Sequence, residues 1–304
     1  MNVHPAAAQN TTRVKGPIVW LDMDQKALDD AYDQVVYAPN RDTVHQRNIF
    51  NSNRVRARLG EPKRIKYGPT EIEAFDLFAA KKPNAPINVF IHGGAWRQRS
   101  AADYAFMAET YVDAGAHFIA LDFVGVEHTG GDLQPMADQV SRAIAFVYKN
   151  AASFGGDPNK LYISSQSSGA HLGGVMAVTD WAKDHGLPKD AIKGALLCSG
   201  MYDLKPVRLS KRSAYVMFTD EIEDKLSSQR HLDRLHCPVI VAYGTCETPE
   251  FQRQNRDFAA AVKAAGKPVT LLVGEGYNHF EMPEMLGNPL SLLGSAVLEQ
   301  MKLK

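Results

Sequence analysis

From Arg64 onward the chain alternates short apolar runs with longer amphipathic stretches. The runs at 72–77, 87–91, 117–123, 160–164, 195–198, 239–243 and 269–273 have strand length and are rich in Val, Ile, Leu and Phe. Near-continuous runs of this kind predict strands buried on both faces. Between them, Leu133, Met136, Ala137, Val140, Ala143, Ile144 and Val147 keep a 3.6-residue spacing, with Asp132 placed to cap the helix they predict. A later helix is predicted from Thr248-Pro249, a cap followed by Pro at the first helical position, to near Gly266. Strand–helix alternation of this kind predicts an α/β protein with a mostly parallel, doubly wound sheet and helices on both faces.

The flanking segments read differently. Residues 1–15 are polar and unpatterned, as in a loose arm, and 24–60 mix charge with spaced apolar positions, as in short helices or loops. About forty residues separate the strands at 195–198 and 239–243. That is too long for a plain crossover, and it predicts a helix plus an insertion able to cover a site.

Composition narrows the class. Of 304 residues 45% are hydrophobic, enough for a sizeable core, which disfavours disordered or coiled-coil readings. The 34 basic residues balance 34 acidic ones, so nothing electrostatic points to nucleic acid or membrane as a partner. Cys198, Cys237 and Cys246 are widely spaced and imply no disulfide framework. No secretory signal and no run of about 18 apolar residues is legible, so the expected compartment is the cytoplasm. His231, His236 and Cys237 fit no standard metal spacing, and no metal or cofactor is expected.

The segment 161–172 carries the chemistry. A strand that turns sharply into a helix can present a nucleophile in a strained conformation, with small residues required two before and two after it. Ser167 alone among four serines fits, between Ser165 and Gly169. Upstream, the run 87–91 leads into His92-Gly93-Gly94-Ala95-Trp96. Glycines there let backbone amides converge on a developing oxyanion; Gly94 and Ala95, with Ser168 after the nucleophile, are the expected donors. In this arrangement the order is Ser, acid, His. His279, after the last strand, is the expected base, and Glu247, after the strand at 239–243, the expected acid with Asp203 as fallback.

Together these residues resemble an α/β-hydrolase of the hormone-sensitive-lipase-like esterases, and more narrowly the arylformamidase (kynurenine formamidase) branch. The resemblance rests on His92–Trp96, Gly156-Asp-Pro-Asn-Lys160, Ser167–Leu172, Ser199–Pro206, Gly244–Gln254 and Asn278-His-Phe280, and spans roughly residues 65–300. Two departures stand out: Ser165 replaces the first glycine of the elbow, and Glu247 stands where many relatives carry Asp. The expected division is 1–60 as arm and lid-forming segment and 61–304 as catalytic domain, with 203–235 part of the lid. The expected activity is cleavage of a small, aromatic amide or formamide through an acyl-enzyme, with a short-chain aryl ester as the alternative and a non-catalytic binding protein as a remote one. Trp96, Tyr202, Tyr215 and Phe218, with aromatics of the N-terminal segment, are expected to line a closed apolar pocket for this small-molecule substrate. The resemblance also makes a homodimer an expectation.

Overall fold

The computed structural model describes residues 14–97 and 99–304; the first thirteen residues of the polar arm lie outside the described residues. Strands β1 (Ile18–Trp20) and β2 (Met23–Asp24) form a small hairpin. The main sheet comprises β3 (Lys63–Lys66), β4 (Ala74–Phe78), β5 (Ala85–Ile91), β6 (His117–Leu121), β7 (Gly156–Gln166), β8 (Ala195–Cys198), β9 (Val239–Gly244) and β10 (Val269–Gly274). Their order across the sheet is β3-β4-β6-β5-β7-β8-β9-β10. The pairs β3/β4 and β4/β6 are antiparallel, and the remaining neighbours are parallel.

Alternation within each strand explains why helices cover both faces. Ala195 and Leu197 of β8 point into one hydrophobic cluster, Leu196 and Cys198 into the other, and β9 repeats this with Val239 and Val241 against Ile240 and Ala242. Period-two side-chain geometry on a doubly buried sheet requires both clusters. The first contains the apolar stripe of the helix Gln134–Asn150, including Met136, Val140, Ile144 and Val147. Asp132 sits just outside that helix, its Oδ1 accepting from Gln134 N at 2.8 Å, while Leu133 occupies the capping position. The helix Pro249–Ala264 starts at its cap, with Thr248 Oγ1 accepting from Phe251 N at 3.4 Å.

The N-terminal region departs from its expectation. Residues 41–59, within the stretch expected to hold short helices or loops, form one helix, Arg41–Leu59. Only Val44, Ser52 and Val55 of it are buried, so its apolar signal is too sparse for periodicity to announce it. Tertiary bonds hold it instead: Ser52 Oγ donates to Asp103 O and accepts from Phe106 N, both at 3.2 Å. The insertion is likewise pinned by charge, with Arg230 and Arg208 donating to Glu223 at 2.9 and 3.2 Å. Among the described residues no helix is long and apolar enough to cross a membrane.

Candidate active site

Ser167 lies at the junction of β7 and the helix Ser168–Ala177, with φ 59° and ψ −127°. A non-glycine residue there carries about 1–3 kcal/mol of strain, which the surroundings must hold in place. They do so through Ser167 N donating to Cys198 O at 2.9 Å and His171 N donating to Ser167 O at 3.1 Å. Gly169 lets the helix close on β5, since a Cβ there would lie 2.2 Å from Ile91 O and 2.4 Å from His92 O. Ser165, in the position usually held by glycine, turns its Oγ to Leu196 O at 3.1 Å. Its bulk is accommodated across the helix by Gly173, where a Cβ would lie 2.4 Å from Ser165 Oγ.

A continuous hydrogen-bond chain runs from this serine. Its hydroxyl lies 2.8 Å from His279 Nε2, and His279 Nδ1 lies 2.7 Å from Glu247 Oε2. The other carboxylate oxygen of Glu247 accepts from Gly244 N at 2.7 Å and Ser199 Oγ at 2.6 Å. Gln34 Nε2, from the N-terminal segment, approaches Oε2 at 3.4 Å. Glu247 and His279 are buried, and the rings of Phe251 and Phe280 stand edge-on to the imidazole at 4.9 and 5.4 Å. Asp203, the fallback acid, makes no hydrogen bond to His279. It sits just outside the helix Lys205–Leu209, where its Oδ1 accepts from Lys205 N at 3.1 Å, and it pairs with Arg230 at 3.0 Å.

The glycine loop after β5 lies against the elbow. Gly94, Ala95 and Trp96 all have positive φ, at 116°, 56° and 61°. Gly93 makes the approach possible, because a Cβ would sit 2.5 Å from Gln166 Oε1 and 2.9 Å from Ser167 Cβ. Among the described residues the Gly94 and Ala95 amides have no acceptor, and the Ser168 amide, first in its helix, has no carbonyl one turn back. Ser168 Oγ ties the loop down by accepting from Trp96 N at 3.0 Å. These three amides, the Ser167 hydroxyl and the His279 imidazole match the set that acyl transfer requires: donors for a developing oxyanion, a nucleophile and its base.

A cavity of about 620 Å³ opens beside Ser167 and His279. Its character corrects the expectation of a closed apolar pocket. Arg41, Arg97, Arg99, Lys211 and Arg212 line it, against two carboxylates, Asp33 and Glu127. Of the four aromatics expected to line it, Tyr215 does so. Trp96 is buried, its Nε1 donating to His171 Nδ1 at 3.1 Å. Tyr202 is buried and stacks on Phe258 at 4.0 Å, and Phe218 stands edge-on to Trp96 at 6.4 Å. Trp96 and Tyr202 are thus core residues that hold the loop and the sheet edge, because a large ring gains more by burial than at a polar rim once its N–H or O–H has a partner. His171 is part of that support: burial pushes its pKa down to about 4, leaving a neutral ring that donates from Nε2 to Leu226 O at 3.0 Å. Gln34 and Arg212 carried no sequence signal, and Ser199 only its place in the stretch 199–206 that carries the resemblance; all three meet the site through the fold.

Comparison with known proteins shows the family. The BD-FAE family profile matches residues 75–279. A kynurenine formamidase of Danio rerio is 30% identical over 242 residues, covering 77% of this chain and 80% of that one. A kynurenine formamidase of Salmo salar is 27% identical over 281 residues, covering 88% and 93%. Among solved structures, a candidate thioesterase of Silicibacter sp. TM1040 superposes with a TM-score of 0.76 at 20% identity, covering 88% of this chain and 97% of that one, a likeness of fold. The fold and site define an α/β-hydrolase. Within that class the chain belongs to the BD-FAE family, as an arylformamidase-like member of the hormone-sensitive-lipase-like esterases.

Proposed function

We propose that the chain is a serine hydrolase that cleaves a small aryl formamide, with Ser167 as nucleophile, His279 as general base and acid, and Glu247 as the acid that orients His279. The observation that carries this reading is the unbroken chain Ser167–His279–Glu247, at 2.8 and 2.7 Å. Ser167 Oγ attacks the formyl carbon as its proton passes to His279 Nε2, and the oxyanion settles against the Gly94, Ala95 and Ser168 amides. Collapse breaks the C–N bond, and His279 returns the proton to the departing arylamine. Water, deprotonated by the same imidazole, then releases formate and regenerates the hydroxyl. Glu247 stabilises the imidazolium formed at each step and fixes the tautomer that leaves Nε2 free to accept.

The formamide is favoured over the matching ester by the two relatives named kynurenine formamidase. The three free thiols, Cys198, Cys237 and Cys246, fit a reducing compartment, and we place the protein in the cytoplasm. Steady-state kinetics on an aryl formamide and the matching aryl ester test the reading, beside Ser167→Ala and labelling by a fluorophosphonate probe. Turnover of the formamide that Ser167→Ala abolishes is the expected result. An ester-only profile removes the formamide; absence of both turnover and labelling leaves a binding protein.

A further inference from the structure

Gln166 ends β7 and immediately precedes Ser167. It is 5% exposed, and the exposed part lines the cavity beside Ser167 and His279. Its carboxamide is oriented by a partner that can only accept, since Nε2 donates to the backbone oxygen of His279 at 3.2 Å. The same nitrogen lies 3.2 Å from His279 Nε2, the atom that Ser167 Oγ meets at 2.8 Å. With Nε2 committed to His279, Oε1 is turned toward the glycine loop, where a Cβ on Gly93 would lie 2.5 Å from it.

An amide oxygen has two lone pairs, and among the described residues no donor reaches this one. It is unpartnered without being sealed in the core, so it opens on the cavity. The carboxylates that line the same cavity are engaged, Asp33 by Lys211 and Glu127 by Arg97, each at 2.5 Å. A fixed and unused acceptor therefore stands beside the imidazole that must hand a proton to the leaving group.

Amides and esters differ in what the leaving atom needs. In a planar amide the nitrogen lone pair is conjugated with the carbonyl. As Ser167 Oγ attacks one face, that pair develops on the opposite side, away from His279. The nitrogen must invert before the pair can take the proton from His279 Nε2. The C–N bond then breaks, its electrons staying on nitrogen while the oxyanion re-forms the carbonyl. Inversion swings the N–H, and an acceptor placed to receive it stabilises that transition state; contacts made only there are the ones that speed the reaction. An ester oxygen has two lone pairs and no hydrogen, so it needs neither the inversion nor the acceptor. We propose that Gln166 Oε1 accepts the scissile N–H as the nitrogen inverts, and that Gln166 thereby sets the preference for a formamide over an ester. This rests on the hydrolase reading above and adds to it the group that recognises the amide.

The test compares an aryl formamide with the formate ester of the matching arylmethanol, whose leaving group also needs the proton of His279. Both give the same formyl-enzyme, so kcat/KM isolates the acylation step in which the two differ. Gln166→Met fills the same space without an acceptor. It is expected to lower the formamide-to-ester ratio of kcat/KM by about tenfold, the scale of one hydrogen bond, whatever happens to the two rates together. Fluorophosphonate labelling reports that the nucleophile and its base are still assembled. Gln166→Ala, which leaves space rather than filling it, is measured in the same way and carries the result should Gln166→Met fail to fold. An unchanged ratio in a labelled variant overturns the proposal and leaves the hydrolase intact: a displaced His279 slows both substrates alike, and an idle Gln166 slows neither. A wild type that labels and cleaves the ester but not the formamide removes the formamide reading and this proposal with it. One that neither labels nor turns over either substrate overturns the hydrolase reading itself.

Discussion

Ser199 Oγ donates to Glu247 Oε1 at 2.6 Å, from a residue whose own φ is 57°. The carboxylate is thereby held from two sides, since Gly244 N reaches the same oxygen and His279 the other. Ser199 follows β8, so the strand next to the one that carries Ser167 helps aim Glu247, the proposed acid. Loss of one hydrogen bond to a charged group costs about 1.5–3 kcal/mol, part of which falls on the transition state. Ser199→Ala is expected to lower kcat by roughly tenfold, about 1.4 kcal/mol, with KM little changed. Steady-state kinetics check this, with Glu247→Gln and Asp203→Asn alongside. Glu247→Gln is expected to lose on the order of 10⁴ in kcat, as loss of a triad acid does, and Asp203→Asn only stability. A larger catalytic loss at Asp203 overturns the choice of acid.

Ser165 and Gly173 are sterically coupled. Gly173→Ala in the wild type drives a methyl toward Ser165 Oγ and, at 3.0 Å, toward Leu197 Cδ2. It is expected to destabilise the protein by about 1–3 kcal/mol, as overpacking does. Ser165→Gly in the same chain removes the nearer obstacle and restores part of that loss. Chemical denaturation of the two single variants and the double measures the coupling. Strict additivity sinks the explanation offered for the unusual serine.

Burial makes the stability of the site's support depend on pH. His171 Nδ1 accepts from Trp96 Nε1, so a proton there would face a donor. With a folded pKa of about 4 against an ordinary value of 6.5, the unfolded chain binds the proton first as pH falls. Stability from the neutral ring is complete above pH about 6.5, is lost between about 6.5 and 4, and falls no further below that. The full loss is roughly 3 kcal/mol. In His171→Gln this contribution is absent, so the wild-type advantage in unfolding free energy is expected to shrink by about 2 kcal/mol between pH 7.5 and 5. A gap that stays constant over that range refutes the titration.

What the sequence made legible was whatever leaves a periodic or spacing signature. β5, β7, β8 and β9 carry buried runs flanked by turn residues, while β10, expected to be buried on both faces, is an edge strand with Thr270 and Leu271 exposed; Ser167 was singled out by the size of its neighbours at two positions. The helix Arg41–Leu59 left no such trace, because three buried side chains among nineteen residues do not make a stripe. The pocket was misjudged for a related reason. Aromatic residues in loops announce burial but not direction, and Trp96 of the glycine loop and Tyr202 after β8 are buried in the core while Arg212 and Arg99 line the cavity. A chain of zero formal net charge gave no hint that five cations gather at one opening.

The sheet order also bears on how the protein fails. Ser167 follows β7, which is paired on both sides, whereas His279 follows β10, the outermost strand, paired only with β9 and partly exposed along its length. Edge elements open at lower free energy than central ones. The proposed base is thus mounted beside a sheet edge, and the proposed nucleophile at the sheet's centre. On warming, activity is therefore expected to fade below the temperature at which most of the fold unfolds, and activity followed beside circular dichroism through the same ramp checks it.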